Sequence, residues 1–206
     1  MIGEPVTIHP ALAPEDQARA EFYALLGRLY GSAPDAAVLT ALGASGTWPE
    51  DEGNPLAGAW NRLVLASRAM DAEAAEQEHT DLFVGVGKAE CNLHASYWIR
   101  DAAEPPLVAI RTELAALGLS RRHGSALYED HLAALLETMR ILVSGVDGHP
   151  PAPLAVQREF FNRWIAPWAA DCCNAIAQSQ IANYYIRVAQ FTILFVAIER
   201  DSLAIE

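Results

Sequence analysis

Apolar residues recur every three or four positions along most of the chain, which is the spacing of an α-helix buried on one face. The first stripe starts at Pro14, which suits the first turn of a helix because proline has no amide hydrogen to lose there, and Gly31 ends it. Further helices are predicted to begin at Asn54 and Pro55, after Pro105 and Pro106, and at Asp130 as N-cap. The last two are predicted to cover residues 154–178 and 181–200. Because no segment alternates as a half-buried strand would, the predicted fold class is all-α.

Proline and glycine shape the C-terminal third of the chain. Pro167 should kink the helix across residues 154–178, because proline lacks the amide hydrogen and clashes with the preceding turn. The run SGVDGHPPAP, residues 144–153, is the longest internal stretch of turn residues, and it separates about six helices from the last two. The last helix is apolar almost all round and must be buried against the others.

Residues 1–206 are therefore predicted to form a single all-helical, bundle-like domain of about eight or more helices, with a possible hinge at residues 144–153. A loop of this kind would also permit the C-terminal helices to exchange between protomers. A monomer and a domain-swapped homodimer both stay open.

The composition narrows the classes of partner. Of the 206 residues, 52% are hydrophobic, which is enough for a sizeable core, and the formal net charge is −12. A surface this acidic repels nucleic acid and anionic membranes and attracts basic partners. The most apolar run, residues 188–198, is too short to span a bilayer, and residues 1–17 are not expected to act as a secretory signal. Cys91, Cys172 and Cys173 predict no disulfide framework and fit a reducing cytoplasm.

The tetrapeptide GVGK at residues 85–88 resembles part of a phosphate-binding loop, but the rest of that motif is missing. The motif requires a glycine at the position of Leu82 and a serine or threonine at the position of Ala89. It must also follow a buried strand, whereas the preceding residues predict a helix. We therefore expect Gly85 and Gly87 to end the helix that carries Leu82 and to let the chain turn.

No catalytic constellation is complete in the sequence. A di-metal site in a helical bundle needs a Glu-x-x-His pair from each of two helices, and Glu76 with His79 is the one such pair in the chain. Ser96 and His94 lack the context of a nucleophile and its base. The chain is not expected to be an enzyme, and a small helical metalloenzyme using His79, His94 or His131 is the weaker alternative.

Three segments together match the signature of one family. TDLFVGVG at residues 80–87, followed by LHASYW at 93–98, supplies a Leu-Phe-x-Gly segment, a loop and an aromatic-x-Ser-x-Tyr-like segment. EDHLAALLETM at 129–139 supplies an Asp-His-Leu helix start, and FFNRWIAPWAADC at 160–172 a later segment with a tryptophan after a proline. In this order they resemble the TorD/DmsD/NarJ-type molybdoenzyme maturation chaperones.

The resemblance implies an all-helical cytoplasmic chaperone. Such proteins bind the twin-arginine signal peptide, and sometimes the body, of an apo-molybdoenzyme catalytic subunit, and hold it until the molybdopterin cofactor is inserted and export is allowed. The resemblance also implies weak guanine nucleotide binding in some members; no other cofactor and no metal is expected. The residues implied in binding the signal peptide or client are Leu82, Phe83, Gly85, His94, Ser96, Tyr97, Trp98, Asp130 and His131.

Chemistry assigns roles to several of these residues. Asp130 could accept a bidentate hydrogen bond from an arginine, and His131 could add polarity or pH sensitivity. Phe83, Tyr97 and Trp98 could line an apolar groove. The loop before Ser96 lacks the family's prolines and the position before Asp130 is not proline, so the client stays open among trimethylamine N-oxide, dimethyl sulfoxide, nitrate, formate and other oxidoreductases. A helical adaptor without an exported client is the other alternative.

Overall fold

Ten α-helices and one short π-helix make up most of the computed structural model, which describes residues 12–50, 53–85, 89–122, 124, 126–146 and 149–205. In chain order they are α1 (Pro14–Gly31), α2 (Ala36–Ala44), α3 (Pro55–Ala69), α4 (Ala72–His79), the π-helix (Thr80–Val84), α5 (Ala95–Trp98), α6 (Pro106–Ala116), α7 (Leu132–Ser144), α8 (Leu154–Trp164), α9 (Ala169–Gln178) and α10 (Tyr184–Ala204). These ranges contain no β-strand, and the predicted all-α fold class is confirmed. None of the described helices combines the length and the apolarity that crossing a membrane requires.

The start signals read from the sequence are in place at α1 and α3. Pro14 occupies the first turn of α1, and the Asn54 side chain accepts a hydrogen bond from the Ala57 amide at 3.2 Å, so it is the N-cap of α3. The short helix α2, capped by Asp35, was not predicted, because its 9 residues are too few to establish a stripe.

Helix α1 lies closely along α7, and glycine permits the close approach. A β-carbon on Gly27 would meet the Ala133 carbonyl oxygen at 3.4 Å, and one on Gly31 would meet the Ala133 side chain at the same distance. Small residues at the crossing let the two backbones approach, which places the α7 N-terminus against the C-terminal part of α1.

Helix α10 is buried as predicted and packs against α9, α3, α8, α4 and α1. Its N-terminus is capped from α4: the buried Glu78 carboxylate accepts the backbone N–H groups of Asn183 at 2.8 Å, Tyr184 at 3.0 Å and Tyr185 at 2.8 Å. Three helix-terminal donors are thereby satisfied by one negative charge, which also suits the positive end of the helix dipole.

A buried ionic cluster fastens the other end of α10 to α1. Both oxygens of Glu199 accept from the Arg19 guanidinium, at 2.8 and 3.0 Å, and the Tyr23 hydroxyl donates to the same carboxylate at 2.7 Å. Because Glu199 is 2% exposed, this charge is stabilised by its partners rather than by water.

The chain after residue 153 differs from the prediction in one respect. Residues 154–178 form two helices, α8 and α9, rather than one kinked helix, because the chain turns between Trp164 and Ala169, where Pro167 has no amide hydrogen to continue the ladder. Three helices therefore follow the loop at 144–153. Val146 and His149 exchange two backbone hydrogen bonds of 2.8 Å within that loop, Asp147 and Gly148 lie outside the described residues, and the hinge stays a prediction.

Candidate functional site

The Leu-Phe-x-Gly segment lies at the end of α4, in the π-helix. Leu82 is fully buried, and the Phe83 ring packs edge-on against Tyr185 with the ring centroids 4.9 Å apart. Gly85, with φ of 64°, donates its amide to the Thr80 carbonyl at 2.7 Å and ends the π-helix, as predicted, whereas Gly87 and Lys88 lie outside the described residues. Leu82 and Phe83 thus anchor the segment in the core.

Two signature segments that are distant in sequence meet in a short backbone pairing. The Leu132 amide donates to the Leu93 carbonyl at 2.7 Å, and the Ala95 amide donates to the Asp130 carbonyl at 2.8 Å. This pairing sets His94 beside His131, with ring centroids 5.0 Å apart. Helices α5 and α7 therefore begin side by side.

The Asp130 carboxylate lies between these two segments. One oxygen accepts from His94 Nδ1 at 3.0 Å and the other from the Ser96 amide at 3.3 Å, in the first turn of α5. Burial alone would raise the pKa of Asp130, but the hydrogen bonds from His94 and Ser96 outweigh it and hold that pKa below its ordinary value. Asp130 therefore carries a buried negative charge that fixes the start of α5.

The N-cap of α7 is His131, not Asp130 as predicted. The His131 Nδ1 atom accepts a hydrogen bond from the Ala133 amide at 3.1 Å. The Asp130 carboxylate instead accepts from the Ser96 amide, 34 residues earlier in the chain, at the start of α5. Since Nδ1 accepts, the ring is neutral with its proton on Nε2. Burial, together with the nearby His94, lowers the pKa of His131 to about 4.

The neutral His131 predicts a pH dependence of stability. Its pKa is about 4 in the folded protein against an ordinary value of 6.5, so the unfolded chain binds more protons between these values and stability falls as pH falls. In His131→Asn the amide oxygen can still cap α7 and nothing titrates. Between pH 7 and pH 5, wild-type unfolding free energy should fall by about 2 kcal/mol more than that of His131→Asn, measured by urea denaturation. Parallel pH profiles of the two proteins would contradict the assignment.

Exposed aromatic side chains flank this buried cluster. Tyr97 is 42% exposed and Tyr128 52% exposed, and the Tyr128 ring lies 6.3 Å from that of His94. Trp98 is half-buried, with its indole N–H donating to the Asn92 carbonyl at 2.9 Å. Of the three aromatics predicted to line a groove, Tyr97 and Trp98 lie at this surface, with their rings in edge-to-face contact.

Arginines accompany both tyrosines. The Arg100 guanidinium lies 5.2 Å from the centre of the Tyr97 ring, and that of Arg121 lies 5.9 Å from the Tyr128 ring. Glu129, next to the buried Asp130, binds Arg111 at 3.0 Å. We call the surface formed by His94, Ser96, Tyr97, Trp98 and Tyr128 the α5 face.

A groove of about 690 Å³ adjoins this region, between α1, α7 and the loop that follows α6. Its lining includes Gly27, Leu119 and Ala134, with Arg122 and Glu137 among the charged residues. The sequence did not reveal the groove, because its walls come from three separate parts of the chain. Among the described residues no group of three or more His, Cys, Asp or Glu side chains is placed to hold a metal ion.

Comparison with known proteins assigns the chain to one family. A model of the family described as "Nitrate reductase delta subunit" matches residues 50–174, a range that includes every residue of the α5 face. Among solved structures, a putative redox enzyme maturation protein from Archaeoglobus fulgidus aligns with a TM-score of 0.48 and 15% identity, covering 97% of this chain and 99% of that chain. Comparison with curated proteins finds no match.

Proposed function

We propose that this chain, which belongs to the nitrate reductase delta subunit family of redox enzyme maturation chaperones, binds the twin-arginine signal peptide of an apo-molybdoenzyme subunit on the α5 face. Holding the peptide delays export from the cytoplasm until the molybdopterin cofactor has been inserted. The body of the same subunit is a second point of contact. No cofactor of its own is needed for this task, and guanine nucleotide binding stays a prediction.

The observation that carries the proposal is the junction at Asp130. One buried carboxylate joins the segment that contains Ser96 to the segment that contains His131, and both segments belong to the family signature. The junction leaves Tyr97 and Tyr128 exposed, and the Tyr128 ring lies 6.3 Å from that of His94. Exposed tyrosines beside a junction that buried hydrogen bonds hold in place offer a peptide a large and rigid contact surface.

The chemistry of a twin-arginine peptide fits this face. Such a peptide has two adjacent guanidiniums followed by an apolar stretch, so its receptor needs carboxylates beside apolar and aromatic surface. Both oxygens of Asp130 are already used, and its side chain is 4% exposed, so a guanidinium would have to displace an existing donor. We assign Asp130 the role of a positioning residue.

Exposed carboxylates follow α5 directly. Asp101 and Glu104 lie in the loop that joins the C-terminus of α5 to α6, three and six residues after Trp98, and both are exposed. We propose that they receive the guanidiniums, while the aromatic rings of Tyr97 and Trp98 receive the apolar part. The net charge of −12 draws a basic peptide to the chain from a distance.

The affinity should be modest and reversible. A free signal peptide is disordered, and ordering it costs several kcal/mol of the interaction energy. A chaperone that must release its client benefits from that cost, because tight binding would prevent export.

Calorimetric titration with the twin-arginine signal peptides of the host's molybdoenzymes tests the proposal. At least one peptide should bind, and replacing its two arginines by alanine should weaken binding roughly tenfold, because two charge-assisted contacts are lost. Raising the salt concentration should weaken binding of the arginine peptide more than that of the alanine peptide. Equal affinity of both peptides, or no binding of any, would contradict the proposal.

A further inference from the structure

We propose that the groove between α1, α7 and the loop after α6 docks an acidic amphipathic helix from the body of the client's catalytic subunit. We call it the arginine groove. The inference rests on the proposed function in so far as the partner is the client, but it concerns a groove that adjoins the α5 face and a partner segment of opposite charge.

The floor of the arginine groove is apolar and made of small side chains. Ala24 and Gly27 of α1 and Ala133 and Ala134 of α7 line this floor, where the two helices cross closely, so no large side chain of the chaperone fills the groove from below. Further apolar walls are supplied by Leu114, Leu119, Leu127, Ile141 and Val146. Apolar side chains spaced along one face of a helix would remove this surface from water.

The rim of the groove carries an excess of positive charge. Four arginines line it, Arg28, Arg121, Arg122 and Arg140, against two glutamates, Glu129 and Glu137. Three of these arginines bind carboxylates: Arg28 binds Asp35 at 3.1 Å, Arg140 binds Glu137 at 2.7 Å and Arg121 approaches Glu129 at 4.0 Å.

Arg122 is different. It is exposed and, within the part of the chain that the structure describes, forms no ion pair. Glu129 is shared between Arg111 and Arg121, so one carboxylate serves two guanidiniums. In a chain with a net charge of −12, a groove with two excess positive charges is a local reversal of sign.

Charge selects the occupant. The arginines of a signal peptide would be repelled from the groove, whereas carboxylates flanking an apolar stripe would pair with Arg121 and Arg122. Two copies of this chain, each with a net charge of −12, would repel each other over the surfaces that surround the groove. An acidic amphipathic helix of the client therefore fits best, and the chaperone would hold its client at two surfaces of opposite charge.

The test uses two kinds of groove variant and a charge-matched control. Arg121→Glu with Arg122→Glu reverses the charge of the rim, and Ala134→Phe fills the floor without changing charge. The control is Arg62→Glu with Arg200→Glu, which changes the net charge equally at exposed positions on α3 and α10. Circular dichroism and thermal unfolding confirm that each variant is folded.

The probes are the apo catalytic subunits of the host's molybdoenzymes, each purified without its signal peptide, and the signal peptides alone. The catalytic subunit that binds the wild type should bind both groove variants at least tenfold more weakly. Its affinity for the control should stay within about threefold of the wild-type value, since only the groove variants alter the docking surface. Signal-peptide affinity should stay within about twofold for Ala134→Phe.

Two results would overturn the inference. One is a body affinity that is the same in the folded groove variants as in the control, and the other is the absence of any body that binds the wild type. Failure of the proposed function is seen separately, as a wild type that binds no signal peptide.

Discussion

Replacing Glu78 by alanine should lower the free energy of unfolding by about 4 kcal/mol, because three backbone amides at the N-terminus of α10 lose a charged acceptor in a buried site. In a chain of this size the midpoint of thermal unfolding should fall by about 10 °C. Glu78→Gln should cost less, since its amide oxygen still accepts one or two of the bonds. Scanning calorimetry and urea denaturation measure both changes.

Helix α4 supplies the control for this prediction. Glu76→Ala removes an exposed carboxylate from the same helix and should change the unfolding free energy by less than about 0.5 kcal/mol. Similar losses in the two variants would show that Glu78 stabilises α4 by its helix propensity alone and not α10 by capping. The result matters for the site, since α4 leads directly into the π-helix that anchors Leu82 and Phe83.

Replacing Asp130 by alanine should lower the free energy of unfolding by about 3 kcal/mol, because His94 and the Ser96 amide lose their shared acceptor. It should also weaken peptide binding, since the first turn of α5 is no longer fixed against α7. Asp81→Ala is the control: its carboxylate is exposed and bonds to Gln77 alone among the described side chains, so the change should be less than about 0.5 kcal/mol.

The peptide data separate a positioning role from direct contact. If Asp130 fixes the α5 face, Asp130→Asn should lower the affinity for the twin-arginine peptide and for its alanine-substituted counterpart by the same factor. A loss confined to the twin-arginine peptide would show instead that the carboxylate binds a guanidinium directly, and the assigned role would be wrong.

Local signals in the sequence were sufficient for most helices. Pro14 and Asn54 act within a few residues of their own position, so α1 and α3 begin where the pattern predicts. The same holds for the core: the i, i+4 spacing of Trp164 and Trp168 predicts one buried helix face, and the two residues are 4% and 2% exposed. Helix α2 was not predicted, because one short apolar run does not distinguish a helix from a loop.

Contacts between distant segments could not be read in this way. Asp is the better N-cap by propensity, and that preference favoured Asp130, but its carboxylate bonds to Ser96 and leaves the cap to His131. Pro167 does more than kink a helix: α8 ends at Trp164, and a separate helix, α9, begins at Ala169 and packs on α10. The arginine groove combines α1, α7 and a loop, and no local pattern joins them.

The segments that carry the resemblance all lie within the matched range 50–174, and the structure distributes their residues among different tasks. Leu82 and Phe83 are anchors in the core, Asp130 and His131 fix two helix starts, and Tyr97 remains exposed. Several residues of the family signature therefore hold the proposed binding surface in place and are not themselves exposed on it. Which of these residues touch a client stays a prediction.

A double-mutant cycle between peptide and chaperone tests the central claim most directly. The chain variant is Asp101→Asn with Glu104→Gln, the peptide variant replaces both arginines by alanine, and Glu15→Gln with Asp201→Asn is the charge-matched control on α1 and α10. The account predicts that the roughly tenfold loss caused by the peptide change falls below about threefold in the chain variant and stays near tenfold in the control. An undiminished loss in the chain variant would contradict recognition of the two arginines by Asp101 and Glu104 beside the α5 face.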